Sequence, residues 1–125
     1  RYYGDEAIML GGKDPDNRAF YPWATADQAQ IQFVAQWSLW RQRHAWLNQA
    51  NFVPFYVADY GIGYLYWRAA QTILVVVNIT SEPRTVTTHD LKLSGIPLRL
   101  AQAIQQCLVG RTFSGEQLRL IENFT

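Results

Sequence analysis

Tyr2-Tyr3-Gly4-Asp5-Glu6 runs on through Gly11-Gly12-Lys13-Asp14-Pro15-Asp16-Asn17-Arg18 and closes at Phe20-Tyr21-Pro22-Trp23. The composition is that of an ordered loop that meets a polar ligand. Gly11 and Gly12 relax the backbone, Pro15 stiffens it, and carboxylates and cations stand between aromatic residues. A sugar site needs that combination. Hydroxyls want charge-assisted donors and acceptors, while the apolar face of a pyranose ring wants a flat ring to lie against. Asp5 and Glu6 are adjacent. At a strand end Tyr3 and Asp5 would take one side, and Tyr2, Gly4 and Glu6 the other. Carboxylates that diverge in this way make a poor general acid and base for one bond.

Downstream of the loop, Asp27 is placed to cap a helix that the pattern carries to about Leu47. Its apolar residues form two stripes. Phe33, Trp37, Trp40, His44 and Leu47 share one face, and Ile31, Ala35, Leu39 and Trp46 lie nearly opposite. One stripe would describe a surface helix; two opposed stripes describe a helix held between two layers. From Asn51 the period changes to that of strands. Phe52–Ala58 is interrupted by Pro54, which makes it an edge or bulged strand. Asp59–Gly63 reads as a turn and Tyr64–Arg68 as a strand. Thr72–Thr80 is β-branched and apolar on both faces, hence central. Thr85–Thr88, Leu91–Leu93, Leu98–Leu100, Ala103–Val109 and Gln117–Ile121 read as further strands. Strands at such spacing predict an antiparallel sandwich.

The composition excludes several classes. Eleven basic and ten acidic side chains give a net charge of +1 without blocks, so nothing tracks a nucleic-acid backbone or an anionic membrane surface. The longest apolar run, Ile73–Val77, has the length of a strand. The single Cys107 rules out an internal disulfide and fits a reducing, cytoplasmic compartment.

The run YYGDE, then GG-DP-NR, then a segment ending in Trp resembles the loop after the eighth strand of the α-amylase superfamily, glycoside hydrolase family 13. The pattern is closest to the cyclomaltodextrinase, neopullulanase and maltogenic amylase group. The family's barrel needs roughly 250 residues, so the resemblance implies the C-terminal part of a larger enzyme. Residues 1–50 would be the end of a (β/α)8 barrel, its loop after strand 8 and its last helix. Residues 51–125 would be the C-terminal antiparallel β-sandwich, domain C, and the chain mainly β.

The resemblance also implies function. The parent would be a retaining glycosidase acting on α-1,4-glucosidic bonds of maltodextrins, cyclodextrins or maltooligosaccharides. Its catalytic carboxylates would lie upstream, so this segment would hold none and would be inactive alone. Asp14 and Arg18, in the spacing D-P-x-x-R, would hold a glucose unit at subsite −2, with Trp23 as a stacking surface. The rival reading pairs Asp14 with Arg18 merely to stiffen the loop. No cofactor is implied, although calcium remains open for the parent, with Asp14, Asp16 and Asn17 as clustered oxygen donors. Homo-oligomerisation is open too. His44 and His89 lack a further ligand at metal spacing. Two alternatives stand beside the enzyme. One is a carbohydrate-binding module that uses exposed Tyr64, Tyr66 or Trp67; the other is a structural sandwich with those rings buried.

Overall fold

Capping residues and aromatic spacing set the first part of the chain. In the computed structural model, which describes residues 3–125, the polypeptide divides after Ala45 into two units. The first carries helix α1, Gln28–Arg43. Asp27 caps it as expected: its Oδ1 accepts hydrogen bonds from the Ala29 and Gln30 amides at 2.9 and 3.2 Å. The helix ends sooner than the apolar pattern suggests. His44 leaves the helical conformation, and Ala45–Gln49 continues as a 3-10 turn. Along one side the rings of Phe33, Trp37, Trp40 and His44 follow one another at 6.3, 5.8 and 4.1 Å. No α1 side chain is buried, and Phe33 and Leu39 are each more than half exposed.

Ahead of α1 the strand-end alternation expected for residues 2–6 gives way to a 3-10 turn at Asp5–Ala7. Tyr2 lies outside the described residues. Gly4 explains the turn. Its φ is +83°, a conformation that side chains disfavour, and its carbonyl accepts from both Ala7 and Met9. A Cβ there would also run into the Met9 side chain.

The second unit, Trp46–Thr125, is built on a four-stranded antiparallel sheet. Its order is β1 (Asn51–Ala58), β2 (Gly61–Arg68), β3 (Gln71–Asn78) and β6 (Gln117–Glu122). Strand β3 is central and β1 an edge, as Val-rich β3 and Pro54 in β1 require. The register skips between Pro54 and Tyr56, which leaves Phe55 as the extra residue of a bulge. Phe55 is fully buried. It lies over Gly63, where an added Cβ would come within 2.8 Å of the Phe55 ring. The stretch expected as a turn at Asp59–Gly63 is therefore mostly strand, with Gly63 beneath the bulge and Gly61 against the Val77 carbonyl.

One face of the sheet, with Phe55, Leu65, Leu74 and Val76, closes on a second layer that supplies Val86, Leu100, Ile104, Leu108 and Phe113. That layer departs from the expected strands. Residues Leu98–Leu108 form helix α2, and only the short pair β4 (Arg84–Thr85) and β5 (Thr112–Phe113) adds a second sheet. The reason is visible in the residues. Pro97 precedes the first turn, good helix formers fill the segment, and Leu100, Ile104 and Leu108 fall four apart onto one buried stripe. Gly110, at φ +80°, follows the end of the helix. Cys107 thus sits half-buried on a helix instead of in a strand.

The opposite face of the sheet follows from the register. Its cross-strand rows are Phe52–Tyr66–Ile73–Glu122, Pro54–Tyr64–Val75–Leu120 and Val57–Ile62–Val77–Leu118.

Asn78, at the end of β3, ties the two layers together. Its amide Nδ2 donates to the carbonyls of Glu82, Phe113 and Ser114 at 2.9, 3.2 and 3.2 Å. Its Oδ1 accepts from the Thr80 amide and hydroxyl at 3.0 and 2.9 Å. The side chain is 4% exposed, so removal strands buried carbonyls from their donor. Asn78→Leu is expected to destabilise the chain by about 2–4 kcal/mol. Urea unfolding followed by circular dichroism measures this; an unchanged midpoint contradicts the role.

Candidate functional site

The charged part of the loop is organised by two short turns. The Asp16 amide donates to the Lys13 carbonyl at 2.7 Å and the Arg18 amide to the Pro15 carbonyl at 3.0 Å, so Asp16–Arg18 forms a 3-10 turn. The turn carries Arg18 back to Asp14, where Nε meets Oδ1 at 2.7 Å. Asp14 and Arg18 therefore pair, as the loop-stiffening reading expects. The pair is nevertheless open, with the two side chains 59% and 75% exposed. An exposed carboxylate and guanidinium fixed side by side present acceptors and donors together, the arrangement that vicinal sugar hydroxyls fit.

Aromatic rings occupy both ends of the same loop. Trp23 is 82% exposed and Tyr3 69%. Between them stands Tyr21, its ring 4.5 Å from that of Trp23 and edge-on to Tyr3 at 5.9 Å. The sequence singles out Trp23 as a stacking surface but not Tyr21, which links it to Tyr3. The hint was its place two residues before Trp23, but the tight turn at Pro22, with the Trp23 amide donating to the Tyr21 carbonyl, is what brings the rings together.

Among the described residues, no three His, Cys, Asp or Glu side chains converge as a metal site. Of the clustered oxygen donors Asp14, Asp16 and Asn17, Asp14 is engaged by Arg18. His44 stacks on Trp40 and its Nδ1 contacts the Trp40 carbonyl at 2.8 Å.

Two groups with displaced pKa values belong to the second unit and serve its packing. Asp90 is held below the ordinary aspartate value of 3.8, chiefly by the Thr87 amide that donates to it, helped by the Thr87 and Tyr60 hydroxyls. Burial pushes the Tyr56 phenol upward, with Tyr60 adding to the effect. Arg84 lies over the Tyr60 ring, 4.8 Å from its centre. The rings proposed for a carbohydrate-binding module, Tyr64, Tyr66 and Trp67, are neither buried nor fully exposed.

No protein-family model matches the chain. Over 64 residues, half of its length, it is 39% identical to an amylopullulanase of Thermoanaerobacterium saccharolyticum. It is 38% identical to that of Thermoanaerobacterium thermosulfurigenes over 64 residues. The chain spans only 5% and 3% of those two proteins. Among solved structures, 98% of the chain aligns with a cyclic α-maltosyl-(1→6)-maltose hydrolase from Arthrobacter globiformis at a TM-score of 0.68 and 17% identity. An Anoxybacillus α-amylase and the acarbose complex of a Geobacillus thermoleovorans α-amylase give 0.63 and 0.62, each at 23% identity over 99% of the chain. The chain fills 26–27% of these three structures. The chain thus shares its fold with about a quarter of each of these three enzymes. The resemblance read from the loop, to glycoside hydrolase family 13, is thereby supported from sequence and fold alike.

An exposed ion pair contributes little to stability. Arg18→Ala in the 125-residue chain is expected to change its unfolding free energy by less than about 1 kcal/mol. A larger loss in thermal unfolding would mean that the pair exists to hold the loop.

Proposed function

We propose that this chain is the C-terminal part of an enzyme that cleaves α-1,4-glucosidic bonds of maltodextrins or related α-glucans with retention. Residues 1–50 supply the end of its barrel and residues 51–125 its domain C. Asp14 and Arg18 form part of the donor-side sugar site, with Trp23 as a stacking surface. The catalytic carboxylates belong to the rest of the enzyme, and the 125 residues alone hydrolyse nothing. The observation that carries this reading is the Asp14–Arg18 pair, set at 2.7 Å yet left open to solvent. A pair made only for stiffness gains little from standing in water. A sugar hydroxyl meeting both groups gains charge-assisted bonds at each. The relatives support the chemistry, since an amylopullulanase is 39% identical over half of the chain and one fold neighbour, an α-amylase, was solved with acarbose.

Losing a charged hydrogen bond to substrate costs about 1.5–3 kcal/mol of transition-state stabilisation. In the full-length enzyme, Arg18→Ala is therefore expected to lower kcat/KM for maltotriose or β-cyclodextrin by roughly ten- to a hundred-fold. Wild-type kcat/KM in that variant would remove Arg18 from the sugar site.

A further inference from the structure

Three rings of the loop ahead of α1 differ in how much water they meet. Trp23 and Tyr3 are exposed, while Tyr21 between them is only partly so. Tyr21 touches both. Its ring lies 4.5 Å from that of Trp23 at an angle of 49°, and 5.9 Å from that of Tyr3 at 71°. Aromatic pairs prefer such separations with the rings turned away from a face-to-face sandwich. The backbone fixes the spacing. The Trp23 amide donates to the Tyr21 carbonyl at 2.9 Å, and the Thr25 and Ala26 amides donate to the Pro22 carbonyl at 3.1 and 2.8 Å. On the far side Tyr3 leads into the Gly4 turn, whose carbonyl accepts from the Ala7 and Met9 amides at 3.0 and 3.2 Å. Tyr21 is thus braced on one side and meets the Trp23 indole on the other.

We propose that Tyr21 is a positioning residue of the donor-side sugar site, its ring fixing the Trp23 indole so that the exposed indole face receives a glucose ring of an α-glucan. The glucan rests on the function proposed above; the positioning rests on the ring geometry. An indole that is 82% exposed has little packing to select its orientation. Each alternative orientation has to be given up when a ligand binds, which costs affinity. A neighbouring ring at 4.5 Å limits those orientations beforehand. Tyr21 acts here as support and not as a platform, since it is the least exposed of the three rings. The contact is made by the ring, so phenylalanine serves in its place and a small side chain does not. An orientation set before binding helps substrate and transition state alike, so its loss raises KM and leaves kcat.

Maltotriose cleavage by the full-length enzyme tests this in Tyr21→Ala, Tyr21→Phe, Trp23→Ala and the double variant Tyr21→Ala with Trp23→Ala. Tyr21→Ala is expected to raise KM about three- to tenfold with kcat unchanged, and Tyr21→Phe to restore the wild-type KM. The double variant is expected to match Trp23→Ala alone, because Tyr21 acts only through the indole. Additive losses overturn the positioning role. So does a wild-type KM in Tyr21→Ala or in Trp23→Ala, or a fall in kcat with KM unmoved. In each of these cases a loss in Arg18→Ala leaves the sugar site standing. Wild-type kcat/KM in Arg18→Ala overturns instead the reading on which the proposal rests. Should Tyr21→Ala lower Tm enough to unfold the enzyme under assay, Tyr21→Leu repeats the comparison with a side chain nearer in volume.

Discussion

Phe55 is the residue on which the second unit turns. As the extra residue of the β1 bulge it has no partner across the sheet, and its ring instead covers Gly63 and joins Leu65, Leu74 and Ile104 in the core. That arrangement commits one face of the sheet to α2. Once it is committed, the register sends Phe52, Tyr66, Val77 and Leu118 to the other side. The bulge also explains Gly63 in β2, while the Val77 backbone of β3 explains Gly61. Larger residues there would strike the Val77 backbone in one case and the Phe55 ring in the other. Core, second face and Gly63 are thus consequences of one irregularity in an edge strand.

Helix α1 follows a different logic. It has a good N-cap and a ladder of aromatic rings, yet no buried side chain. Helices draw most of their stability in proteins from packing an apolar face, and α1, although it meets the 3-10 turn at Asp5–Ala7, fully buries no residue of its two stripes. Two opposed apolar stripes are the pattern expected of a helix held between two layers. The loop ahead of it shares this character, with Trp23, Phe20 and Leu10 each more than four-fifths exposed.

Much of this was legible in the residues, for physical reasons. Asp27 announces a helix because its carboxylate satisfies orphan amides; Pro54 announces an edge because it cannot donate to a ladder; β3 announces a centre because both its faces are apolar. The segment 98–109 misled, since Leu98, Leu100 and the following apolar residues fit a strand period nearly as well as a helical one over so short a span. The role of Asn78 could not be read at all, because the Phe113 and Ser114 carbonyls that it binds lie 35 and 36 positions away. At the candidate site, Asp14 and Arg18 were visible from their spacing. Tyr21 was not, because its contact with Trp23 depends on how the chain turns at Pro22.

The central claim is that the sheet and α2 hold one another through a single core, while α1 draws nothing comparable from its own unit. Native-state hydrogen exchange on the 125-residue chain tests it most directly. The account predicts that the amides of β2, β3 and α2 form the slowest set and exchange only through global unfolding, with α1 amides faster by orders of magnitude. Amides of Trp37 and Trp40 as slow as that of Leu74 would contradict it.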